Sequence, residues 1–224
     1  MTLRALTLAT VLALAATGLT ACSSKVGQAA VVGSQRLSIN DVGKDVKRGT
    51  QPYADQQTGA TVYPASFVVQ AWVEDQLFTL ALKKREEKVP VAATDRRSVA
   101  ALLTSAIGSD ATAYFRTTYE KLGYTAAFGA LVEHQQESII LLAHTLEPTV
   151  AASTLLSDLQ SSQALNDNLL KSVTSLGAPV SVSKRYGVWS PTHLALDTTG
   201  SAGVPSFVKL GSDSQVTATT TPSQ

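Results

Sequence analysis

Cysteine is almost missing from this chain, with one residue in 224. A single thiol cannot close an internal disulfide, and without a C-x-x-C pair neither a zinc ribbon nor thiol redox chemistry has its ligands. Imidazole is scarce too: His134, His144 and His193 are the three histidines. His134 and His144 fall on one predicted helix but about 15 Å apart along its axis, too far to share a metal. Charge of one sign is also lacking. Lys+Arg 18 against Asp+Glu 17 gives +1, which denies the chain the basic surface that displaces counterions from nucleic-acid phosphates. No apolar run reaches the roughly 20 residues that cross a ~30 Å hydrocarbon core; the stretch from Ala5 to Thr20 has 16. What is present is a hydrophobic content of 44%, which excludes wholesale disorder and supplies a core for one domain of ordinary size.

Catalytic signatures are equally thin. Gly43-Lys44 is followed by Asp45, with no glycine at the offset of a phosphate-binding loop. Ser181-Val182-Ser183-Lys184 matches a bare S-x-x-K, yet it lies in an alternating strand pattern, whereas that chemistry needs Ser and Lys on adjacent helical turns. Glu74-Asp75 and Glu86-Glu87 are neighbours in sequence, so on a helix they point about 100° apart and cannot flank one bond. The chain is therefore expected to be no enzyme, with no metal and no cofactor.

The strongest chemistry lies at the start. Met1 to Arg4 carries one fixed positive charge, Ala5 to Thr20 is apolar or small, and the run ends in Leu19-Thr20-Ala21-Cys22. This is the layout of an export signal, and its last four residues resemble the bacterial lipobox. The resemblance implies that Leu19 and Ala21 are recognition positions for the lipoprotein signal peptidase. It also implies that Cys22 takes a diacylglyceryl group, after which cleavage before Cys22 removes residues 1–21. Two or more acyl chains of the palmitate kind, at about 0.8 kcal/mol per buried CH₂, anchor a protein stably. The expected location is the outer face of the cytoplasmic membrane, where ATP is scarce. Loss of Arg4 leaves the mature chain with 17 charges of each sign.

Beyond a polar tether at 22–28 the pattern reads as a small β element, a helical body, a β return and a tail: a mainly α fold of about five helices. Ala29 to Val32 and Leu37 to Ile39 read as the arms of a hairpin, with Gly33-Ser34-Gln35-Arg36 as its turn. Ser38 or Asn40 caps a helix from Asp41 to about Arg48, and Thr50 to Thr61 reads as a loop. Tyr63-Pro64 opens a helix to about Glu87 whose apolar residues spread over most of its circumference, so it belongs at the centre. Lys83-Lys84-Arg85 reads as its solvated C-terminal end. Further helices are expected from Thr94-Asp95 to Ile107, from Ser109-Asp110 to Leu122, from a Thr125 cap through Leu146, and from about Ser153 to Leu176. Pro179 to Lys184 alternates as a strand, with an extended aromatic segment to Pro191. Residues 192–224 are expected to be an extended, largely disordered tail.

The run AAVVGSQRLSINDV, Ala29 to Val42, resembles the opening of extracytoplasmic chaperones of the SurA and PrsA type. Phe67 to Lys84 is similar to that family's second helix, and VSVSKRYGVW, Val180 to Trp189, to the return strand of actinobacterial lipoproteins carrying a SurA N-terminal-like domain. The resemblance covers residues 29–191. It departs where Ser183-Lys184 replaces Asn-Pro, and only a few residues near Pro148 to Ser153 stand where an inserted parvulin isomerase domain would lie. The resemblance implies a membrane-anchored holdase without the isomerase, gripping unfolded or newly secreted polypeptides in an apolar groove by removing area from water. Phe67, Trp72, Phe78, Tyr124 and Phe128 are its candidate walls. The alternative is a structural or accessory envelope lipoprotein that docks one folded partner or a small ligand.

Overall fold

A computed structural model describes residues 27–54, 59, 61–107 and 110–198. The expected signal peptide with Leu19 and Ala21, the expected lipidation site Cys22 and the segment 199–224 lie outside the described residues. The fold is mainly α with small strand pairs, as the periodicity predicts; seven helices rather than about five are found among the described residues.

The chain enters as strand β1 (Gln28–Val32) and turns back at Gly33-Ser34 into β2 (Gln35–Ser38), with Val32 opposite Gln35. Helix α1 (Ile39–Asp45) follows at once, its first turn capped by the Ser38 hydroxyl, which accepts from the Asp41 amide at 3.0 Å. The predicted loop holds a minimal hairpin, β3 (Tyr53–Ala54) against β4 (Thr61–Val62). Pro64 then occupies the first turn of α2 (Pro64–Glu86), where its missing N–H costs nothing.

Helices α3 (Ala93–Ile107), α4 (Ala111–Lys121) and α5 (Ala126–Leu146) form the rest of the central body. Asp110 and Thr125 cap α4 and α5, their side chains accepting from the amides of Ala113 and Phe128. The long helix expected over 153–176 is two helices, α6 (Ala152–Ser161) and α7 (Gln163–Thr174). Ser162 makes the break: its extended backbone ends one helix, and its hydroxyl accepts from the Leu165 amide to start the next.

Helix α2 is central, as its apolar girth requires. It is packed by α5, α1, α7, β1, β2 and a C-terminal strand. Helices α2 and α5 run in the same direction, since Phe67 meets Phe128, Asp75 meets His134 and Arg85 reaches the Thr145 carbonyl. Helix α4 runs against α5, with Thr112 bonded to Glu133 at one end and Tyr119 edge-on to Phe128 at the other.

The return strand β5 (Val180–Val182) pairs antiparallel with β1, Ala30 opposite Val182 and Val32 opposite Val180, so the sheet order is β2-β1-β5. The chain does not trail off at 192. After β6 (Val188–Ser190) it turns through Leu194 and pairs back as β7 (Ala195–Asp197), with Leu194, Ala195 and Leu196 buried. The Leu196 amide donates to Gln70 Oε1 of α2 at 3.2 Å. Burial of those three apolar residues is why the packed body extends at least to residue 198, beyond the boundary expected at 191.

Candidate functional site

Three of the five expected groove residues do meet, although not at a groove. Phe67, Tyr124 and Phe128 gather with Tyr119 where α2, α4 and α5 converge. Tyr124 stacks on Phe128 at 4.6 Å between centroids, and Phe67 stands edge-on to both. Tyr124 and Phe128 are completely buried, as is Phe78 further along α2. Phe67 and Trp72 are half-buried against the same core. The expectation that these five side chains wall an apolar cleft is therefore corrected: Phe78, Tyr124 and Phe128 are core, because α2 and α5 close on each other along their whole length. The Tyr124 hydroxyl is satisfied by Tyr53 at 3.2 Å, and burial holds the phenols of both Tyr119 and Tyr124 far above the ordinary tyrosine range.

The polar chemistry lies midway along the α2–α5 seam. Glu74 and Asp75 are both buried, an unusual pair to find inside a helical core. Each carboxylate is bracketed by one side chain from its own helix and one from α5. Glu74 accepts from Gln70 through Oε1 at 2.8 Å and from Gln135 through Oε2 in a very short contact. Asp75 accepts from Gln76 through Oδ2 at 2.9 Å and bonds His134 Nδ1 through Oδ1 at 2.6 Å. All four carboxylate oxygens thus have a partner, which offsets the desolvation of two adjacent anions. The partner helix supplies an imidazole and an amide from consecutive residues, His134 and Gln135, so the two helices read each other in register.

His134 differs from its partner in exposure. Its side chain is 56% accessible while that of Asp75 is 8%. The hydrogen bond to Asp75 raises the His134 pKa above the ordinary imidazole value, against an opposing effect of partial burial. His134 also borders a hollow of about 450 Å³ whose rim carries Lys83, Glu86, Arg96 and Glu137. A second hollow, of about 360 Å³, lies between Asp110, Thr112, Glu133 and Glu137. Burial first, and the neighbouring Glu133 second, push the Glu137 carboxyl above its usual range. Arg96 is already bridged to Glu86. The hollow beside His134 carries charges of both signs, the other only carboxylates, and none of the five aromatic residues lines either of them.

The other histidines stand apart. His144 is mostly buried, with Nε2 3.9 Å from Asp95, and His193 sits in an exposed turn, Nδ1 3.0 Å from the Ser190 hydroxyl. Among the described residues no three His, Cys, Asp or Glu side chains are placed to hold a metal ion. No described helix is long and apolar enough to cross a membrane.

Sequence reasoning missed the Glu74–Gln135 and Asp75–His134 contacts. A signal was available in the two acidic residues set in the middle of a helix that is apolar on nearly every side. Their partners lie 59 and 61 residues away, a distance that no local pattern spans. No protein-family model matches the chain, and neither a curated protein nor a solved structure matches it significantly.

Proposed function

We propose that the chain is an extracytoplasmic lipoprotein, anchored through acylated Cys22, whose helical body is a SurA/PrsA-like module that binds unfolded or newly secreted polypeptides without ATP and without an isomerase domain. The observation that carries the reading is the pairing of β1 with β5. It joins the N-terminal hairpin and the return strand in one sheet beside the helical body, which supports the reading. The link from α5 to α6 is only residues 147–151, which leaves no inserted domain between body and return. Four exposed large apolar side chains, Tyr63, Val89, Tyr114 and Val188, together with half-buried Phe67 and Trp72, are what such a body offers a client.

A second reading has its own support. Sealing of Phe78, Tyr124 and Phe128 takes away the deep groove, and the hollows that remain are rimmed by charged rather than aromatic side chains. That favours an accessory envelope lipoprotein docking one folded partner or a small ligand. Suppression of aggregation separates the two. The fragment from Ser23 onward keeps every described element, and at molar excess it should slow aggregation of an unrelated unfolded protein. An unchanged aggregation rate selects the accessory role. The anchor is tested separately: labelled palmitate should enter the wild-type chain and membrane fraction, and Cys22→Ser should lose both.

A further inference from the structure

We propose that the Asp75–His134 contact is a proton-controlled clasp, which grips α2 to α5 more firmly as the surroundings acidify. The proposal does not depend on the chain's being a chaperone, and its test reads the clasp alone.

Three observations carry it. The contact joins the two central helices, so a change in its strength acts on the whole body. Its carboxylate is buried while its imidazole reaches solvent, so the proton exchanges without the helices parting. Both carboxylate oxygens are already occupied, by Gln76 and His134, so Asp75 cannot turn to water when the imidazole changes charge. In the neutral ring Nδ1–H still donates to Asp75, and the proton that comes and goes is the one on Nε2. Deprotonation therefore leaves the hydrogen bond in place and removes its positive charge. Among the described bonds of Asp75 the anion then loses its cation and keeps only neutral donors.

The charged groups around the ring agree with this direction on balance. From α5, Glu133 and Glu137 lie one residue before and one turn after His134. From α2, Glu74 is buried beside Asp75, and Lys83 and Glu86 face the hollow. From α3, Arg96 is bridged to Glu86. Glu137 favours the imidazolium, and the Asp75 hydrogen bond is the larger influence.

The sign follows from linkage. A histidine whose folded pKa is raised adds stability that is complete below its unfolded value of about 6.5 and is lost as pH rises through the folded value. Urea unfolding of the intact chain in micelles, compared with His134→Gln, isolates the effect, because glutamine keeps a neutral donor on an exposed site. The unfolding constants of the two proteins should diverge by roughly fivefold more at pH 5.5 than at pH 8.5, the gain expected when a hydrogen bond becomes charge-assisted. A gap that stays constant or narrows on acidification overturns the proposal. An NMR titration of the His134 ring gives a second reading that needs no variant. A midpoint at or below 6.5 overturns it, and a midpoint above that which falls in Asp75→Asn supports it.

Discussion

Gly129 shows how closely the elements are fitted at single positions. A Cβ placed there would lie 2.8 Å from Arg116 Cα and 2.9 Å from the Phe115 carbonyl oxygen, both backbone atoms of α4 that cannot swing aside. Gly129→Ala should force α4 and α5 apart and cost about 1–3 kcal/mol in urea unfolding. Gly123 is needed for a different reason. Its φ is +90°, and Thr50, whose hydroxyl donates to the Gly123 carbonyl at 2.9 Å, fills the space a Cβ would take. Within the aromatic cluster, Phe128→Ala should cost about 3–5 kcal/mol. Tyr124→Phe removes only the bond to Tyr53 and should cost about 0.5–1.5 kcal/mol. Among individual residues the Thr125 cap was legible, while Ser38 stood beside Asn40 and Asp110 beside Ser109 as equal candidates until the backbone chose between them. The buried acids were not legible, because a carboxylate inside a core is recognisable only by partners that sequence does not place beside it.

Helices were legible in type and nearly so in extent, and the exception is instructive. Leucines at 155, 156, 159, 165, 169 and 170 keep a helical spacing straight through Ser162. Neither glycine nor proline marks the joint, so the break is visible only in the backbone. Ser162→Ala removes the acceptor for the Leu165 amide. It should cost about 0.5–2 kcal/mol and speed hydrogen exchange at the first turn of α7. The β3–β4 hairpin escaped for the converse reason: two residues on each side are too few to show alternation. A loop-to-turn clip between α1 and α5 was likewise invisible in the sequence. There the Thr125 amide donates to the Asp45 carbonyl, and its hydroxyl donates to Asp45 Oδ1 at 3.0 Å. Burial raises the Asp45 carboxyl pKa, and the Thr125 bond opposes that rise.

For the whole molecule, the parallel pair α2 and α5 is the axis to which everything else is fitted; the apolar girth of α2 predicted its central place, and its pairing with α5 was not legible. The ends of the pair are sealed differently. The aromatic cluster closes the N-terminal ends, and Arg85, donating to the Thr145 carbonyl at 3.1 Å, ties the C-terminal ends. The middle is the clasp, so the seam alternates apolar and polar layers and fixes the register of one helix on the other. Deleting the segment from Pro179 onward should uncover Ala30 and Val32 on β1 and Gln70 on α2. Such a chain is expected to lose its cooperative transition by circular dichroism. Antiparallel pairing of β1 with β5 has one more consequence. Gln28 lies at the same end of the ladder as Ser183, whose amide bonds the Ala29 carbonyl at 2.8 Å. Tension applied between that entry point and that exit would open the pair like a zipper, one rung at a time, rather than shear it; a leash at the front and a load at the rear would find this the body's softest hinge.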